Sequence, residues 1–174
     1  MPEHRAPERG VSRASAATRA PARTEPEALR AAAVALLARR DFASSVLRER
    51  LVAQGFAAAN AETVVAELQR EGVVNDERYA QNYVAYHAGR GQGPLRIGAG
   101  LRRIGLPAAL VDAALDDGPD WAALARRVHT ARFGRPPSSW AEKARQARFL
   151  QYRGFSSDHI RAATGADPDL DSSL

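Results

Sequence analysis

Three stretches decide the reading: L47-RER-L51-VAQ-G55-F56, I97-GAG-L101-RRI-G105-L106 and Q146-ARF-L150-QYR-G154-F155. In each, a Leu stands four residues before a Gly, and a large apolar residue follows the Gly directly. The glycines recur at intervals of 50 and 49 residues, which marks an internal repeat, the feature that governs all further fold reasoning. Apolar residues four apart share one helix face, and a Gly closes such a helix because it takes the left-handed conformation without a Cβ penalty. Phe56, Leu106 and Phe155 are then placed to fold back onto the helix they have just left.

Outward from these stretches the same plan repeats. A helix follows each Gly, carrying Val64, Val65 and Leu68 in the first unit, Leu110, Val111 and Leu115 in the second, and Ile160 in the third. Pro107 and Ser156 stand where the second and third of these helices should begin. A further helix precedes each stretch, over Ala28–Arg40, Asp76–Ala88 and Asp120–Phe133, with apolar residues at helical spacing. Thr24-Glu-Pro-Glu27 and Ser139-Trp-Ala-Glu142 read as capping boxes, and Asp76 and Asp120 as helix starts. The Gly- and Pro-rich runs G89-R-G-Q-G-P94 and G134-RPP-S138 separate first from second helices. No segment alternates as a strand would. The expected fold is all-α: three tandem three-helix repeats, 25–72, 73–119 and 120–164, docked into an elongated, curved array because each unit alone buries little.

Composition agrees. Of 174 residues, 45% are hydrophobic but only 6% aromatic, so the apolar content comes from small helix-favouring side chains. Residues 1–24 mix Pro, Ala, Ser, Thr and Arg without periodicity and read as a disordered tail; 165–174, with three Asp, reads as a disordered acidic one. The formal charge is +5, and residues 120–164 hold nine basic against three acidic residues. That excess points to a polyanion-facing surface.

The same inventory narrows the chemistry. With no cysteine there is neither a disulfide framework nor a thiolate metal site. The longest uncharged run, Leu51 to Ala61, is eleven residues, against the roughly twenty a membrane-spanning helix needs. A reducing, cytoplasmic setting is therefore expected, with no membrane partner. Lys143 is the only lysine and does not end a phosphate-binding loop. GRGQGPLR lacks the dinucleotide-loop spacing and follows a helix rather than a strand. His4, His87, His129 and His159 are scattered without metal-ligand spacing. No enzyme, metal or cofactor is expected, and binding remains. Arg126, Arg127, Arg132, Arg145, Arg148 and Arg153, interleaved with Trp140, Phe149 and Tyr152, suit phosphates and bases; the competing reading makes the aromatics core and the arginines a solvated face.

The segments N75-DERYAQNYV-84, G93-PLRI-97, L101-RRIGL-106 and above all K143-ARQARFLQYRGFS-156 resemble the RecX family of bacterial RecA regulators, over roughly residues 28–164 and in register with the repeats. The resemblance implies an all-helical three-repeat protein that binds RecA and the RecA–DNA filament and restrains filament growth, without catalysis. RecA's ATP hydrolysis, strand exchange and coprotease activity would fall in consequence. The motif positions it brings are Asp76, Arg78, Tyr79 and Ala80; Gly93, Pro94 and Ile97; and Lys143, Phe149, Leu150, Arg153, Gly154 and Phe155. Asp76 is expected to cap, Gly93 and Pro94 to shape a turn, and Tyr79, Ile97, Leu101, Phe149, Leu150 and Phe155 to be core, with Gly105 and Gly154 closing helices. Arg78, Lys143, Arg145, Arg148 and Arg153 are the candidates for contact with RecA or DNA. Two departures stand out: Ala61, where a larger aliphatic would pack, implies a looser first unit, and the Arg-containing N-terminal tail has no family counterpart. A monomer acting by end-capping or by groove binding fits equally. The rival is a helical-repeat nucleic-acid-binding protein independent of RecA.

Overall fold

The structure is a computed structural model that describes residues 25–165. The expectations for the tails, and the capping role of Thr24, lie outside the described residues apart from Gly165. Within them there are nine helices and no strand: α1 (Glu25–Leu37), α2 (Ser44–Ala53), α3 (Ala58–Arg70), α4 (Asp76–Gly89), α5 (Pro94–Arg103), α6 (Ala108–Asp116), α7 (Trp121–Phe133), α8 (Trp140–Arg153) and α9 (Ser157–Thr164). α1 ends at Leu37, three residues before the Arg40 expected from periodicity, and it carries Glu25 and Glu27 in its first turn, where negative charge is favourable.

The repeat is visible in the hydrogen bonds. At the ends of α2, α5 and α8 the residue after the glycine donates its N–H to the carbonyl five residues back: Phe56 to Leu51, Leu106 to Leu101, and Phe155 to Leu150. This six-to-one closure satisfies carbonyls that a helix end leaves open. It also turns Leu106 and Phe155 into buried core and leaves Phe56 half-buried against α2.

Each helix triplet packs on itself, yet there are two cores rather than three. One is built by α1–α3 around Leu29, Leu47, Leu51, Val64 and Leu68. The other runs unbroken through the second and third units, from Val84, Ile97 and Leu101 to Leu124, Leu150 and Phe155. Ala61 is fully buried in the first core, so this position is sealed rather than loose. Tyr79 and Phe149, expected as core, are only partly buried and pack against the second core from its rim.

Between the first and second units, Ala43 is buried in the second core and Val46 packs against both cores, and polar bonds add to these contacts. α2 starts behind Ala43, which offers no side-chain acceptor. The missing cap comes from Asp76, whose carboxylate accepts from the Ser44 backbone N–H at 2.8 Å and from the Ser44 hydroxyl at 2.7 Å. Asp76 thus serves another helix rather than its own; α4 itself is capped by Asn75, whose side chain accepts from the Arg78 N–H at 2.8 Å. Ser45 adds a bond to the Ile104 carbonyl at 2.6 Å. Asp76→Ala leaves the start of α2 uncapped and unhooks the units, so urea unfolding should show a loss of about 1–2 kcal/mol; Asp76→Asn, which keeps an acceptor oxygen, should recover part of it.

The second and third units meet head to tail. The N–H groups of Gly93 and Leu95, flanking Pro94 at the start of α5, donate to the carbonyls of Arg153 and Gly154 at the end of α8, at 2.8 and 3.0 Å. Open donors of one helix thus satisfy open acceptors of the other, with the two dipoles aligned. The approach is so close that a Cβ on Gly93 would collide with the Gly154 carbonyl and lie 2.6 Å from the Phe155 nitrogen.

Candidate functional site

α8 is the element that sorts the expected binding residues. Ser139 caps it, its hydroxyl accepting from the Glu142 N–H at 3.2 Å. The Glu142 carboxylate reaches one residue further back than a capping box requires, to the Ser138 N–H and hydroxyl, both at 2.9 Å. Those bonds, the backbone one foremost, hold its pKa below the ordinary carboxylate value, with Arg135 at 3.0 Å assisting. Gln146 and Leu150 are buried, fixing which face of α8 looks inward; Gln146 meets His129 of α7 at 2.6 Å.

The five candidate cations do not form one patch. Arg145, Arg148 and Tyr152, at i, i+3 and i+7, line one exposed stripe along α8. Arg145 also borders a groove of about 450 Å³ with Arg132, Phe133 and Phe149. Lys143, two residues from Arg145, is turned to a different groove, shared with Leu95, Ile160 and Arg161. Arg153 is engaged at the seam, donating to the Arg90 carbonyl at 3.1 Å with its guanidinium 5.3 Å from the Phe149 ring centre. Arg78 is engaged at the other junction, pairing with Asp41 at 3.1 Å and donating to the Val73 carbonyl at 3.1 Å. Thus Arg145 and Arg148 lie open together, whereas Arg78 and Arg153 hold units against each other.

A cleft of about 640 Å³ runs along the seam of the second and third units. Tyr83 and His87 from α4, Gln92, Arg96 and Arg103 from the loop and α5, and Gln151 and Tyr152 from α8 line it. Arg96 bonds the Tyr152 carbonyl at 3.1 Å and lies 5.8 Å from that ring, which is 82% exposed. Paired guanidinium and aromatic groups in an open, positively lined cleft suit phosphates and stacked planar groups. Arg96 and Arg103 were not among the expected residues. Their signal was the i, i+7 spacing on the polar face of α5.

His87 sits at the base of this cleft, its ring 4.1 Å from that of Tyr83, and its Nδ1 is buried with no hydrogen-bond partner among the described residues. Burial lowers its pKa from the ordinary value, and Arg90 and Arg96 push the same way against a bond donated to the Gln92 side chain. A histidine held neutral in the fold contributes stability that is full above its unfolded pKa of about 6.5 and is lost as pH falls through the lower folded value. Melting between pH 7 and 5 should therefore show a decline that flattens in His87→Phe.

Among the described residues no group of three or more His, Asp or Glu side chains could hold a metal ion, and no helix is long and apolar enough to cross a membrane.

Comparison with known proteins bears on most of the chain. Residues 75–115 match the model of the RecX second three-helix domain, and 120–164 that of the third. The regulatory protein RecX of Halorhodospira halophila is 40% identical over 147 residues, covering 83% of this chain and 91% of that protein. RecX of Pseudomonas fluorescens is 38% identical over 135 residues, covering 76% and 87%. The crystal structure of RecX from Lactobacillus salivarius superposes with a TM-score of 0.73 at 19% identity, over 85% of this chain and 97% of that one, which speaks to the fold alone. With identity of this level spread across nearly the full length of its relatives, and with the tandem three-helix architecture to match, the chain belongs to the RecX family of regulatory proteins.

Proposed function

We propose that this protein regulates the RecA recombinase by binding RecA and the RecA–DNA filament and restraining filament growth. RecA's ATP hydrolysis, strand exchange and coprotease activity fall because the filament that performs them is shortened or cannot extend. Membership of a regulatory family over most of the chain carries this reading. The units 25–72, 73–119 and 120–164 act as an array laid against RecA protomers in the cytoplasm, with Arg145 and Arg148 of α8 meeting DNA phosphates. Arg78, Arg153 and Lys143, the other candidates, serve first to shape the surface, two of them through bonds between units. No step of bond chemistry is assigned to the protein.

RecA's single-stranded-DNA-dependent ATP hydrolysis, measured as this protein is titrated in, tests the reading. A fall at ratios too low to coat the DNA is expected of a filament regulator. A second reading, a nucleic-acid-binding helical repeat independent of RecA, is favoured by the exposed Arg145, Arg148 and Tyr152 stripe. Under it, hydrolysis falls only as the protein saturates the strand, with a steep inverse salt dependence.

A further inference from the structure

The second groove on α8 has a chemistry that the regulatory reading does not use. It is formed by α8, α9 and the start of α5, and holds about 460 Å³. Leu95, Ala147, Phe155 and Ile160 supply an apolar floor, and Lys143 and Arg161 bring positive charge to it. Leu95 is 60% exposed, unusual for a leucine at a seam between units. Arg161 pairs with Asp158 at 3.5 Å, an exposed pair too long and too wet to neutralise it. The groove is thus a short apolar trough with cations, and it would accept an extended acidic segment carrying one apolar side chain.

Residues 166–174 have the composition such an occupant needs. Thr164, the last residue of α9, lines the groove, and Gly165 follows it directly. The nine residues beyond are A166-D-P-D-L-D-S-S-L174, with Asp167, Asp169 and Asp171 set around Leu170 and no basic residue. Nine extended residues reach up to about 30 Å, ample to lie along a groove that begins where they do. Their charge of −3 is opposite in sign to the +6 of residues 120–164. We propose that residues 166–174 dock in this groove, Leu170 on its apolar floor and the three aspartates against Lys143 and Arg161. There they offset part of the positive charge with which the third unit attracts polyanions, and in that sense compete with them. The docking stands on the groove and the tail alone; the competition rests on the DNA contact proposed above.

Full-length protein and its Asp167→Asn/Asp169→Asn/Asp171→Asn variant, compared by amide NMR at low salt, test the docking. Shift changes in the variant at Lys143, Ala147, Gln151 and Ile160 are expected, and Leu170→Ser should move the same set. Changes confined to residues 164–174 in both variants overturn the proposal. Binding of oligothymidylate to the same proteins tests the competition: the neutralised tail should bind about fivefold tighter at low salt, a difference that disappears as salt screens it. Groove shifts with unchanged affinity overturn the competition and leave the docking. Should neither protein bind the oligonucleotide, the DNA contact fails while the NMR result still decides the docking.

Discussion

Gly154→Ala is expected to lose about 3 kcal/mol of stability, from two separate causes. Gly154 has φ +90°, a left-handed conformation that costs an L-residue roughly 1–2 kcal/mol. Its missing Cβ also makes room for α5: an alanine there would collide with the Arg96 side chain and lie 2.6 Å from the Arg96 nitrogen. Backbone cannot move aside cheaply, so overpacking adds roughly 1–3 kcal/mol. Two controls separate the causes. Gly134, which ends α7, has φ +72° and nothing within 4 Å of a Cβ, so Gly134→Ala should cost only the conformational part. Gly93 has φ −88°, which alanine adopts freely, so Gly93→Ala should cost only the collision. Thermal melts should rank Gly154→Ala lowest, down by roughly 10 °C. Equal losses at Gly154 and Gly134 would mean that the seam yields, and that the close approach contributes nothing.

That seam shows where local pattern stops being informative. The helix-closing glycines were legible because their job is done within six residues: Leu150, Gly154 and Phe155 lie in one stretch of sequence, and the bond from Phe155 N–H to the Leu150 carbonyl follows from it. The second job of Gly154, giving way to α5, depends on residues almost sixty positions earlier and leaves no local mark. Asp76 is similar. Its residue type announced a cap, but the donor it serves, Ser44, lies 32 positions away. Arg78 and Arg153 read as free cations because their acceptors, Asp41 and the Arg90 carbonyl, are 37 and 63 positions distant. The division of Lys143 from Arg145 was within reach of helix geometry, since residues two apart do not share a face. The cleft with Arg96, Arg103 and Tyr83 was not, because it exists only once α4, α5 and α8 have met.

The two junctions also differ in kind, with consequences for binding. The second and third units share one core and a backbone-to-backbone seam, so they behave as one block. The first unit keeps its own core and is joined by a smaller junction: Ala43 buried in the second core, Val46 packed against both cores, and the polar groups Asp76, Ser44, Ser45 and the Arg78–Asp41 pair. Adjustment to a partner is therefore expected between the first unit and the rest, and the surface carried by α8 should keep its shape.

Because α8 is held in that block, reversing its open charges should change binding without changing the fold. Arg145→Glu/Arg148→Glu is expected to weaken oligonucleotide binding at least tenfold at low salt. The slope of affinity against salt should fall by about two, one counterion for each lost phosphate contact. Both side chains are exposed and form no ion pair among those found in the described residues, so the melting point should hold. Arg153→Ala is the informative contrast. Its guanidinium is committed to the Arg90 carbonyl and the Phe149 ring, so its loss should lower stability first and affinity only through the loosened seam. If Arg153→Ala removes binding in a protein that melts normally while the double reversal leaves binding intact, DNA meets the seam rather than the outer stripe. RecA ATP hydrolysis assayed with the same variants then separates two uses of the face. Loss of inhibition in parallel with loss of DNA affinity makes phosphate contact part of filament control. Inhibition that survives the double reversal places the decisive contact on RecA protein, where the cleft bordered by Arg96, Arg103 and Tyr152 is the next surface to alter.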